Sequence, residues 1–76
     1  MTKEDKRLLI GQAMKLTTLG VTVEKERGNL KKLVERGVPY DDPEMLKAYK
    51  RFAKADCDWK RLEAEHLQLR KKLGIT

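Results

Sequence analysis

The chain is poor in the residues that small folds use as staples. It holds one cysteine and one histidine in 76 residues. An internal disulfide is therefore excluded, and no Cys/His set exists for structural zinc. Aromatic residues are 5%. No uninterrupted apolar run approaches the ~20 residues of a membrane-spanning helix. Lys3, Lys6 and Arg7 precede Leu8-Leu9-Ile10 in the manner of a signal peptide. Gly11-Gln12 and Lys15 end that run short of the ~7–15 apolar residues such a peptide needs. A lone free thiol without an export signal sets the expectation of a reducing, cytoplasmic location. No G-x-G-x-x-G, Walker, H-E-x-x-H, G-x-S-x-G or C-x-x-C motif occurs. Nothing supports an enzyme, and no catalytic residue, cofactor or bound metal is expected.

What is present is charge. Charged residues are 39%, with 18 Lys+Arg against 12 Asp+Glu and a formal net charge of +6. The isoelectric point near 9.6 permits attraction to nucleic acid or anionic surfaces. The length allows one domain over 1–76. A monomer of this size buries only roughly 60% of its unfolded surface. With no staple available, self-association is the expected source of added stability.

Two punctuation marks divide the chain. Arg36-Gly37-Val38-Pro39 ends one helical pattern with a cation, a Gly able to adopt positive φ and a Pro that cannot continue. Asp42-Pro43-Glu44 opens the next with an N-cap carboxylate, Pro at the first helical position and an acid at the positive helix end. Lys71-Lys72-Leu73-Gly74-Ile75 is a further stop, whose apolar last residue can fold back on the final turn. Residues 43–73 have no Gly or Pro after Pro43 and predict a helix of about 46 Å at ~1.5 Å per residue. Its apolar stripe reads Leu46, Tyr49, Phe52, Ala55, Trp59, Leu62, Leu69 and Leu73.

Residues 3–36 are more ambiguous. Leu9, Ala13, Leu16, Gly20, Val23, Arg27, Leu30 and Val34 keep a 4-3 alternation that predicts one continuous helix with a coiled-coil-like seam. The poor helix formers from Thr17 to Val23 support an alternative, a break near Gly20 and three helices. We favour the continuous helix, because the heptad phase survives Gly20 and the two segments have nearly equal length. The expected fold is all-α, an antiparallel two-helix hairpin over about 3–36 and 43–73. It sets Gly20 opposite Trp59, Ala13 opposite His66, Leu30 opposite Tyr49 and Val34 opposite Met45. Alanine at position 20 is expected to gain helix propensity but to overpack.

One hairpin does not cover all its apolar surface. Ile10, Met14, Thr17, Val21 and Gly28 form a second strip on the first segment, and Ala53, Cys57 and Ala64 flank the stripe of the second. Pairing these strips between two copies gives a four-helix-bundle homodimer.

Candidate chemistry is sparse. Glu63 and His66 have the i, i+3 spacing of carboxylate-bridged di-metal bundles, but the facing stretch from Gln12 to Leu16 supplies no acid. Cys57 lies between Asp56 and Asp58, a poor setting for a nucleophilic thiolate. Arg27 and Asp56 are candidates for an ion pair that fixes alignment. Lys47, Lys50, Arg51 and Lys54 share one helix face, and the register puts Lys25, Lys31 and Lys32 beside it. Lys3, Lys6 and Arg7 join Arg70, Lys71 and Lys72 at the open end. Such faces suit phosphate contacts along nucleic acid. Tyr49, Phe52 and Trp59 are assigned to the core, so base stacking is not expected. Lys54–Asp58, Asp56–Lys60 and Asp58–Arg61 have ion-pair spacing.

The inferred architecture is similar in shape to the Rop type of antiparallel helical hairpin dimer, which binds RNA. Sporulation aspartyl-phosphate phosphatases are also small helical hairpins, and their Ser-Gln-Glu-Leu-Asp signature does not occur here. Fold alone does not assign function. The expected function is a non-enzymatic, self-associating helical interaction protein that docks an unidentified protein partner, with no membrane segment. The alternative is a nucleic-acid-binding regulator that uses the basic faces.

Overall fold

The computed structural model describes residues 2–75. Two helices carry the fold: α1, Lys3–Glu35, and α2, Pro43–Lys72. They pack side by side as a hairpin 52 Å long and 17 by 15 Å across. Neither helix is long and apolar enough to cross a membrane.

Each helix end has a local chemical cause. Thr2 caps α1 through a reciprocal box: its hydroxyl accepts from the Asp5 N–H at 3.1 Å, and the Asp5 carboxylate accepts from the Thr2 N–H at 3.2 Å. Gly37 at φ 78° ends α1. Val38 N–H donates to the Leu33 carbonyl and Gly37 N–H to that of Val34, and Val38 packs back on the buried cluster. Asp42 caps α2, accepting from the Glu44 N–H at 2.9 Å, with Pro43 in the first turn. Gly74 at φ 74° repeats the α1 ending, with Ile75 N–H donating to the Arg70 carbonyl.

α1 runs unbroken through Gly20, so the three-helix alternative is overturned. The threonine run is absorbed within the helix. The Thr17, Thr18 and Thr22 hydroxyls donate to the carbonyls of Ala13, Met14 and Thr18 at 3.0, 3.1 and 3.2 Å. Gly20 faces Trp59, as its position in the hairpin predicts. A Cβ added at Gly20 would stand 3.5 Å from Trp59 Nε1, an ordinary contact. The expected overpacking by alanine is therefore corrected, because the helices stand far enough apart at this level to admit a methyl group.

The seam itself is rotated from the predicted stripes. On α1 it runs Leu9, Gln12, Leu16, Leu19, Val23, Glu26, Leu30 and Leu33, and on α2 Met45, Ala48, Phe52, Ala55, Trp59, Leu62, His66, Leu69 and Leu73, all buried or half-buried. Both follow a strict 3-4 alternation, the a and d positions of a heptad. Ala13, Val34, Leu46 and Tyr49, placed in the core from sequence, are exposed. Two of the shifted positions on α1 are polar. Gln12 and Glu26 look like surface positions in sequence, but each meets a partner across the seam. The His66 ring Nδ1 and Gln12 Oε1 lie 2.9 Å apart. Arg51 Nε donates to Glu26 Oε2 at 3.2 Å, and the Glu26 side chain is only 14% exposed. His66 thus meets Gln12 rather than Ala13. The core is thin: Val23, Leu33, Met45, Ala48 and Ala55 are its buried side chains.

Candidate functional site

The seam leaves the hairpin with two long sides. One is flanked by heptad positions e and b, the other by g and c. In an antiparallel pair the e positions of both helices share a side, and three depressions along the hairpin follow that rule. Near the turn, Leu30, Val34, Tyr40, Met45, Leu46 and Tyr49 line one. Midway, Gly20, Val23, Glu24, Arg27, Asp56 and Trp59 line another. At the open end, Leu9, Ile10, Ala13, His66, Arg70 and Ile75 line the third.

The e/b side mixes apolar and charged residues, with its apolar side chains gathered toward the two ends of the hairpin. Ile10 is 60% exposed and Tyr49 60%. Thr17 and Ala53 are exposed beside them, while Met14 and Val21, 66% and 65% exposed, stand at its rim with Cys57 and Ala64. Gly28 leaves open space where a side chain would project. Cys57 is a free thiol beside a shallow depression with Tyr49, Phe52 and Ala53. Tyr49 and Leu46 read as core in the sequence because they sit one position past the seam, where they extend the apolar arc. That widened arc, a and d together with e and b, is broader than a two-helix seam requires.

Four charges on this side are matched within their own helices, while Lys31, Glu63 and Arg70, also at e or b positions, join none of the ion pairs of the described residues. Glu24 Oε1 accepts from Arg27 Nη1 at 2.7 Å, and the Arg27 guanidinium lies 6.0 Å from the Phe52 ring centre. Asp56 Oδ2 lies 2.9 Å from Lys60 Nζ. The hydrogen bond and then the charge of Asp56 hold the Lys60 ammonium above the usual lysine range. Arg27 and Asp56 line the same depression but take these closer partners, so the predicted Arg27–Asp56 pair is corrected. Asp56–Lys60 forms as expected, Asp58–Arg61 stands at 3.8 Å, and Lys54–Asp58 is not among the ion pairs of the described residues.

The g/c side is polar and basic. Lys25, Lys32, Lys47 and Lys54 occupy c positions and are exposed, and Arg51 at g reaches over to Glu26. Lys50 lies instead on the back of α2, and Lys31 falls at a b position on the apolar side. The seven predicted basic residues therefore do not form one surface. The turn and the open end carry Asp41 and Glu44, and Lys71 and Lys72, respectively, all exposed. Glu63 and His66 are half-buried. Among the described residues no three His, Cys, Asp or Glu side chains gather as a metal site.

No family model, curated protein or solved structure matches the chain.

Proposed function

We propose that this chain is a non-enzymatic helical interaction protein that associates with a second copy through its e/b side, forming a four-helix bundle. The observation that carries this reading is the amount of surface one hairpin leaves open. The chain exposes 6104 Å². A compact monomer of this mass exposes about 4,800 Å². The excess, about 1,300 Å², is more than the ~800 Å² that each partner contributes to a standard stable interface. The radius of gyration, 16.6 Å, likewise exceeds the roughly 11 Å of a compact domain of this length. The e/b side supplies exposed apolar side chains to cover part of that area, and four of its charges, Glu24 with Arg27 and Asp56 with Lys60, are paired within their own helices. A reducing cytoplasm suits the exposed free thiol of Cys57.

The test is to place a charge where a second copy would cover it. Ile10 and Ala53 are exposed in the single hairpin and outside its buried core, so Ile10→Glu and Ala53→Glu leave that core in place. In a bundle each buries an unpaired carboxylate. Thermal unfolding of the wild type should shift upward with protein concentration. Each variant should lose that dependence and unfold at lower temperature. A concentration-independent wild type, with both variants unchanged, would overturn the reading.

A further inference from the structure

We propose that the g/c side is a second binding surface, which takes the phosphate backbone of double-stranded nucleic acid on Lys25, Lys32, Lys47 and Lys54. The register set by Gln12–His66 and Gly20–Trp59 places Lys32 across from Lys47 and Lys25 across from Lys54. The two rungs are seven residues apart on each helix, about 10.5 Å at ~1.5 Å per residue. Side-by-side helix axes stand about 8–10 Å apart. The c positions face outward from the seam, so the two lysines of each rung stand further apart than the helix axes, and the four flank this side of the hairpin in two pairs. All four are exposed, and none joins an ion pair among the described residues. Of the acids beside them, Glu26 is turned into the seam and held by Arg51, Asp58 lies toward Arg61, and Glu44 stands exposed at the turn end, three residues before Lys47.

The chemistry of the surface selects its ligand. A lysine ammonium is a compact, mobile point charge that binds phosphate without demanding planar geometry. Between the rungs lie only Asn29 and Arg51, with no aromatic or large apolar side chain. The surface therefore offers neither the desolvated anchor pocket of a protein interface nor an apolar wedge for a lipid surface. It reads the density of negative charge. A duplex supplies one such charge per ~1.7 Å of axis, on a backbone chemistry that RNA and DNA share. The surface lies opposite the proposed self-association side, so it is present on a single hairpin.

Fluorescence anisotropy of labelled duplex DNA and duplex RNA, titrated at several salt concentrations, tests the proposal. The wild type should bind in the ~10⁻⁴–10⁻⁶ M range of sequence-independent binders, with a log–log salt slope near −3.6 per hairpin on DNA, ~0.9 for each of four phosphates. Replacing Lys25, Lys32, Lys47 and Lys54 together by Gln should weaken binding at least tenfold and flatten the slope, with helicity by circular dichroism unchanged. A control with Lys3, Lys6, Lys71 and Lys72 replaced by Gln should keep most of the slope. The Ile10→Glu variant should keep the slope per chain even where self-association is lost, which separates this surface from the apolar side. The proposal is overturned if neither duplex binds, if the four-lysine variant keeps the wild-type slope, or if phosphatidylserine vesicles bind as tightly as the duplexes.

Discussion

Gly20 is a glycine that the space around it does not require. A glycine in mid-helix costs helix propensity, and here it stands against the chain's single tryptophan. The 3.5 Å from an ideal Cβ at position 20 to Trp59 Nε1 is comfortable for alanine and too short for anything branched beyond it. Gly20→Ala should stabilise the protein by about 1 kcal/mol, the propensity difference between the two residues. Gly20→Leu should cost about 1–3 kcal/mol through overpacking. Urea unfolding of both variants measures the difference, and a destabilised alanine variant would mean that the helices lie closer than described. Gln12 with His66 and Glu26 with Arg51 act at the same scale. Gln12 and His66 both sit in the seam, and Arg51 reaches in from its flank to Glu26, so a sliding of one helix past the other would separate each pair, a role well suited to fixing register.

The elements are legible in the sequence to the extent that their ends carry chemistry. Gly37, Asp42, Pro43 and Gly74 mark three of the four helix ends because each does one conformational job that few residues can do. Asp42→Ala should cost about 1 kcal/mol, the usual worth of an N-cap, and lower the thermal midpoint accordingly. Gly37→Ala should cost a similar amount, because its φ of 78° strains a residue with a Cβ. The capping box of Thr2 and Asp5 escapes the sequence reading, although the spacing of a hydroxyl and an acid just before a helix is its signal. The seam is only half legible. Leu9, Leu16, Val23 and Leu30 fall where the sequence puts them, but the alternate positions are read one residue late, with Ala13, Gly20, Arg27 and Val34 in place of Gln12, Leu19, Glu26 and Leu33. A polar residue reads as surface until its partner is known, and the partners His66 and Arg51 are 54 and 25 residues away along the chain. The same confusion draws Leu46 and Tyr49 from an open side into the core and conceals the side on which an interface is proposed. Composition finds the basic residues, but which of them share a side depends on the seam.

At the scale of the molecule, a thin seam and a wide apolar arc belong together. A rod 52 Å long with five buried side chains among its described residues has little to hold it alone, since small single cores rarely supply more than ~3–5 kcal/mol. Covering the e/b side with a second copy would join two seams into one core and leave the two basic sides on opposite outer faces of the bundle. The central claim is that this association occurs, and sedimentation equilibrium at micromolar concentration measures it directly. The account predicts a particle of twice the 8.8 kDa chain mass, reduced to a single chain by Ile10→Glu. A wild-type protein that sediments as one fully helical chain across the whole concentration range would contradict it.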